Sequence, residues 1–257
     1  MKKGIVLTDF HSGHLAGLTP PQWRSLQPKW NRLESELWDN YISMIHKHGP
    51  YDFGFFLGDL IDGTGSRTGG TELITSDRNK QVEIAEGCIE VVPFKKSAEL
   101  IGVYGTGYHT GNDEDFELQI ARDMKFKKIS GQEWVDVNGV VFDLKHRVGS
   151  TTVPYSKGTA ISKERIWNLL WTEHGEQPKA DVLLRGHVHY FFFCGDADWI
   201  GIICPALQGQ GSKFGSRHCV GHIDFGVVYL FVSDEGEFTW DYERKIIKSQ
   251  KQKAIKI

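Results

Sequence analysis

Short apolar runs alternate with helical stretches through the first half of the chain. Ile5 to Thr8, Phe53 to Leu57 and Leu100 to Tyr104 each end at a turn rich in Asp or Gly, as buried parallel strands do when they deliver loops at their carboxyl ends. After Pro28, the residues Trp30, Leu33, Leu37, Tyr41 and Ile45 recur in steps of three and four, which predicts a helix that Gly49-Pro50 closes. A surface loop follows over residues 63–70, with four glycines, and then a second helix over residues 77–91, with Val82, Ala85 and Ile89 on its inner stripe. Strand and helix in alternation predict an open parallel sheet, and ligands of such sheets bind outside the carboxyl ends of the strands.

The second half changes rhythm. Trp134 to Val137 and Val140 to Leu144 flank Asn138-Gly139, a strong hairpin signal. A helix is predicted over residues 162–174, with Ile166 and Leu170, and Trp167 and Trp171, one turn apart. Strands are expected at 182–184, 190–193, 200–203, 227–232 and 238–242, the last two forming a hairpin. The whole reads as a layered α/β domain over residues 1–244 to which each half contributes a sheet. The tail, 245–257, holds five lysines and no acid and reads as a solvated terminus.

Composition narrows the class. With 30 basic and 33 acidic residues the net charge is -3, which excludes a polycation that coats nucleic acid. No apolar run approaches the roughly 18 residues of a membrane-spanning helix, and the apolar stretch behind Met1-Lys2-Lys3 is too short for a signal-peptide core. The four cysteines form no Cys-x-x-Cys pair, so a reducing, cytoplasmic setting is expected.

The chemistry gathers at the predicted strand ends: Asp9-Phe10-His11, Gly58-Asp59-Leu60-Ile61-Asp62, Gly105 to His109, His146 after the strand ending at Leu144, and Gly186-His187-Val188-His189. An Asp-x-His alone carries no weight, being expected about 0.7 times by chance, but Gly-Asp-x-x-Asp is expected about 0.1 times and Gly-His-x-His about 0.05 times. Asp, His and carboxamide groups from separate loops are what divalent transition metals bind. His14, His46 and His48 read as ordinary surface residues. His218 and His222 flank Cys219 without a second cysteine at ligand spacing.

In order and spacing these segments resemble the calcineurin-like metallophosphoesterases, whose signature runs Asp-x-His, Gly-Asp-x-x-Asp, Gly-Asn-His, a single His, then Gly-His-x-His, here over positions 9 to 189. The resemblance implies an αββα sandwich of two mixed β-sheets flanked by helices, with two divalent ions at the carboxyl ends of the strands. Asp9, His11 and His189 would then hold the first ion, His146 and His187 the second, and Asp59 would bridge both. Manganese is the first choice of metal, with iron, zinc and nickel as alternatives. His109 is the natural general acid, and Asp62 is placed to accept from its other ring nitrogen. The third motif departs from the family: no Asn precedes His109 in Gly105-Thr106-Gly107-Tyr108-His109. The missing amide oxygen could come from Thr106, Tyr108, Asn112 or Gln81, of which Gln81 is preferred.

The resemblance thus predicts a phosphoesterase that acts through a hydroxide activated by two metals. Protein phosphatases of the family carry Arg-Gly after the second motif, where Asp62 is followed here by Gly63-Thr64-Gly65. A monoester dianion profits most from an arginine clamp, so its absence favours a phosphodiesterase whose substrate is a nucleotide or nucleic acid. Arg67, Arg78, Arg147 and Lys213 are other candidate anchors for phosphate. The alternatives are a phosphomonoesterase or protein phosphatase and, in another class, a catalytically weakened metal-binding module.

Overall fold

Strand β1 (Lys2–Leu7) sends Ile5 and Leu7 to one core and Val6 to another, and this period-two division runs through the fold. The computed structural model describes residues 1–111, 115–151, 153–210, 221–250 and 254–255. Along the chain β1 is followed by α1 (Pro28–His46), β2 (Tyr51–Phe56), α2 (Arg78–Glu90), β3 (Phe94–Val103), the short α3 (Gly107–Thr110), α4 (Asp115–Asp123) and β4 (Lys128–Ser130). The second half runs β5 (Glu133–Val137), β6 (Val140–Lys145), α5 (Lys157–Glu173), β7 (Val182–Arg185), β8 (Phe192–Gly195), β9 (Ile200–Ile203), β10 (Phe225–Val232) and β11 (Phe238–Lys245).

Two mixed sheets result, ordered β11-β10-β1-β2-β3-β4 and β5-β6-β7-β9-β8. The runs β1-β2-β3-β4 and β6-β7-β9 are parallel, and the remaining pairings are antiparallel. Between the sheets, Val6, Phe55 and Val103 of the first meet Phe142, Leu184 and Ile202 of the second. On the outer face of the first sheet, Ile5, Leu7 and Phe56 pack with Leu37 and Tyr41 of α1, Val82 and Ile89 of α2 and Ile120 of α4. On the outer face of the second, Leu183 and Ile203 pack with Ile161 of α5. The layers are therefore αββα, with the carboxyl ends of β1, β2, β3, β6 and β7 opening the loops that carry the motifs.

Helix α5 turns its apolar stripe outward: Ile166, Trp167, Leu170 and Trp171 are exposed, while Ile161, Arg165 and Asn168 are buried. The polar groups turn inward because they have backbone to bind. Arg165 donates to the Ala180 carbonyl, and Asn168 accepts from Ala180 N at 3.0 Å and donates to the Pro178 carbonyl at 3.0 Å, tethering the segment that enters β7. The tail begins docked. Ile247 is buried in the α1 core, and Glu36 accepts from the backbone N–H of Lys248 and Ser249. His14 is buried too, its Nδ1 accepting from Ala16 N at 2.9 Å.

Candidate metal centre

The loops after β1 and β2 are laced together before any side chain is placed: Asp9 N donates to the Gly58 carbonyl at 3.0 Å and His11 N to the Asp59 carbonyl at 3.0 Å. Asp9 (φ 53°), His11 (46°), Asp59 (51°), His187 (75°) and His189 (59°) all adopt left-handed backbone. That conformation is disfavoured for a non-glycine residue, and its concentration at five prospective ligands marks a functional site. Close approach does the rest. A Cβ on Gly186 would stand 2.5 Å from Thr8 Oγ1 and 2.9 Å from Asp9 Oδ2, so only glycine lets the β7 loop lie against Asp9.

Three sets of donor atoms converge among the described residues, each within 4.8 Å: a first of Asp9, His11 and His189, a second of Asp59, His146 and His187, and a third, His11, Asp62 and His109, that shares His11 with the first. The first two adjoin, since Asp9 Oδ2 accepts from the backbone N–H of His187 at 3.1 Å. In the second set, His146 Nδ1 donates to the Leu57 carbonyl at 2.5 Å, and its Nε2 stands 3.0 Å from Asp59 Oδ2. A protonated ring can donate through Nε2 to Asp59, whereas a neutral imidazole that donates through Nδ1 presents a lone pair at Nε2, and a metal ion between the two acceptors would then replace that proton. In the first set, Asp62 Oδ1 takes His11 Nδ1 at 3.1 Å, which leaves His11 Nε2 facing His189 Nε2 at 3.2 Å. Asp9 Oδ1 lies 3.1 Å from His189 Nε2. Among the described residues neither Asp9 Oδ1 nor His146 Nε2 has a hydrogen-bond partner of good geometry.

These spacings fit metal ligation. Donors about 2.1 Å from a shared ion stand about 3.0 Å apart at octahedral angles and about 3.4 Å apart at tetrahedral ones. The separations of 3.0, 3.1 and 3.2 Å fall in that window, and the 3.8 Å between His11 Nε2 and Asp9 Oδ1 is wider.

The electrostatics agree. Burial opposes ionisation of Asp9, Asp59 and Asp62, yet the facing histidines hold all three carboxyls below their usual range: chiefly His189 for Asp9, His146 for Asp59 and His11 for Asp62. Burial also works against charge on His11 and His146, but the carboxylates win. Hydrogen bonds to Asp62 and Asp9 raise His11 to about 10, and Asp59 raises His146 to about 9. His187 is lowered to about 4, first by burial and then by His146. The pocket thus gathers positive charge onto its buried imidazoles, and divalent ions would displace those protons.

Other site residues fall differently from expectation. His109 Nδ1 donates to the backbone carbonyl of Asp62 at 2.8 Å, whereas the Asp62 carboxylate is nearer His11. Asp59 groups with the second set, and its Oδ1 accepts from Thr106 N at 2.7 Å and Thr106 Oγ1 at 3.1 Å. The Gln81 carboxamide is held by backbone groups. Its Oε1 accepts from Gly63 N at 2.8 Å and its Nε2 donates to the Gly63 and Thr75 carbonyls, so the carboxamide is spent on pinning the glycine-rich loop. Asn112, Lys213, His218, Cys219 and the side chain of Arg67 lie outside the described residues.

The sequence reading missed Glu117, a buried acid on α4. Its Oε1 accepts from Leu60 N at 2.9 Å and its Oε2 from Gly105 N at 2.7 Å, joining the second and third motif loops behind Asp59. Burial, and then the charge of Asp59, raise its carboxyl to about 7.

The chain is thus an αββα sandwich that carries these motifs in this order along one rim. No protein-family model matches the chain, and no curated protein matches its sequence. Among solved structures the chain is similar to an archaeal phosphodiesterase, at 12% identity over 94% of this chain and 99% of that one, with a TM-score of 0.48. It is also similar to Vps29 from Entamoeba histolytica (12% identity, 95% and 99% covered, TM-score 0.47) and from Chaetomium thermophilum (9%, 96% and 100%, 0.48). A likeness this distant leaves the reading of the site to its own geometry. Among the described residues no helix is long and apolar enough to cross a membrane.

Proposed function

We propose that the chain is a metal-dependent phosphoesterase that cleaves phosphodiesters of nucleotides or nucleic acid. The carrying observation is the pair of adjoining donor sets at one rim, Asp9-His11-His189 and Asp59-His146-His187, with lone pairs facing one another across metal-ligand distances. Divalent ions held there, manganese first and iron, zinc or nickel as alternatives, would polarise phosphoryl oxygens and make a water acidic enough to attack.

The chain's own groups do the rest. Asp62 fixes two histidines at once, His11 through its carboxylate and His109 through its carbonyl. His109 Nδ1–H is committed to that carbonyl, which leaves Nε2, on a ring that is still 19% exposed, as the atom that hands a proton to the leaving oxygen. Thr106 lies in the loop of the third motif, three residues before His109. It orients Asp59 through two hydrogen bonds, an indirect service in place of a ligand.

The preference for diesters rests on Gly63. This residue follows Asp62 with φ +80°, and a Cβ there would lie 2.6 Å from the His109 carbonyl oxygen. An arginine clamp is therefore excluded at the position where protein phosphatases of the family have one. A reducing, cytoplasmic setting is part of this proposal, on four cysteines that form no Cys-x-x-Cys pair in the sequence.

The test is hydrolysis of bis-p-nitrophenyl phosphate against p-nitrophenyl phosphate with Mn²⁺ present. The diester should turn over faster, and His109→Ala should abolish turnover while bound metal stays at the wild-type level. Hydrolysis of neither ester defeats the enzyme reading, a faster monoester defeats the diesterase preference, and metal lost from His109→Ala shows that His109 is a ligand.

A further inference from the structure

Helix α5 turns its largest apolar side chains to solvent. Ile166 is 59% exposed, Trp167 52%, Leu170 48%, and Leu169 and Trp171 42% each. At 100° per residue, Lys163, Ile166, Trp167 and Leu170 centre on the side opposite the buried Ile161, Arg165 and Asn168. Apolar ridges of this kind with a charged rim mark protein contacts more often than free surface.

The rim shows what covers it. Lys163 and Glu173 close the ridge at its two ends, both exposed, and among the described residues neither has an ion-pair partner. Two α5 helices laid antiparallel about a two-fold axis at the level of residue 168 place position i of one against position 336 minus i of the other. Ile166 then comes level with Leu170 and Lys163 with Glu173, each pair occurring twice, and Trp167 lies beside them on the same face. A surface whose ends carry opposite charges at equal distances from its apolar centre is self-complementary, as a two-fold interface must be.

We propose that the exposed face of α5 is the interface of a symmetric dimer, with a second copy of this chain as its occupant. At about 200 Å² per large side chain, the five exposed residues offer on the order of 500 Å² per chain. With its rim, the pair reaches the lower end of specific interfaces, roughly 1,200 Å² in total, so a dissociation constant of micromolar order is expected. The inference does not depend on the catalytic reading.

Sedimentation velocity on the whole chain from about 1 to about 300 µM tests it. The wild type should pass from monomer to dimer across that range. Leu170→Glu should stay monomeric throughout with an unchanged circular-dichroism spectrum, since the position is exposed. Lys163→Glu and Glu173→Lys should each weaken the dimer about fivefold to tenfold, because each turns two attractive pairs into repulsive ones, and the double variant should recover wild-type affinity. A wild type that is monomeric at the highest concentration overturns the proposal. So does a dimer that survives Leu170→Glu, and so does a double variant no tighter than the singles. A monomer that binds lipid vesicles or another protein through this face would likewise replace it.

Discussion

His146 Nε2 and Asp59 Oδ2 stand 3.0 Å apart while the Nδ1 proton of His146 is spent on the Leu57 carbonyl, so the ring meets that carboxylate through either a proton on Nε2 or a metal ion in its place. The hydrogen bond to Leu57 also ties the second sheet to the end of β2, which makes the separation a property of the sandwich and not of a loose side chain. Removing the ring by His146→Ala should drop bound divalent metal from about two ions per chain to about one, read by elemental analysis after dialysis against Mn²⁺. His189→Ala should empty the other position to the same extent. Two ions retained in either variant would mean that the donor sets are grouped wrongly.

Glu117 carries a cost that is independent of metal. Its two oxygens accept the backbone N–H groups of Leu60 and Gly105, and Glu117→Ala would leave both without a partner behind the site. Unpaired buried donors cost about 1–3 kcal/mol each, so a loss of about 2–4 kcal/mol is expected in urea unfolding of the metal-free protein. Glu117→Gln keeps one acceptor and should lose about half as much. Equal stability of all three proteins would remove Glu117 from the account.

Gly186 tests the close approach. Adding one methyl by Gly186→Ala brings a carbon to 2.5 Å from Thr8 Oγ1 and 2.9 Å from Asp9 Oδ2. Either the β7 loop or the Asp9 carboxylate must shift, and both carry the site. The variant should fold, yet bind Mn²⁺ at least about tenfold more weakly by calorimetric titration. Wild-type metal affinity would show that the loop has room to spare.

Much of this centre was legible in the sequence because its residues end apolar runs. Asp9, Asp59, His146 and His187 stand just past strands whose period-two burial fixes where each strand stops. What escaped is chemistry with no local signature. Glu117 is a single acid in a short amphipathic helix, and only tertiary structure brings Leu60 N and Gly105 N to it. Gln81 had the right donor atom, but the Gly63 backbone claimed it first. On α5 the apolar period was legible and its direction was not. Arg165 and Asn168 find carbonyl and amide partners inside, so the polar side of the helix could be buried at little cost.

Glu86 on α2 gives a pH signature away from the metal centre. Burial, then Asp123 at the end of α4, raise its carboxyl from 4.5 to about 7. Between those values the folded chain keeps a proton that the unfolded chain has released, so stability falls as pH rises through this window and levels off above it. The full shift would correspond to about 3 kcal/mol, but the residue is partly open to water, and screening reduces the expected effect to about 1 kcal/mol. Glu86→Gln, uncharged at every pH, should therefore match the wild type near about pH 4 and exceed it by about 1 kcal/mol near about pH 8. Comparing the two proteins in urea across that range cancels every other titrating group. A difference that does not change with pH would show that Glu86 ionises in the folded chain as freely as in the unfolded one.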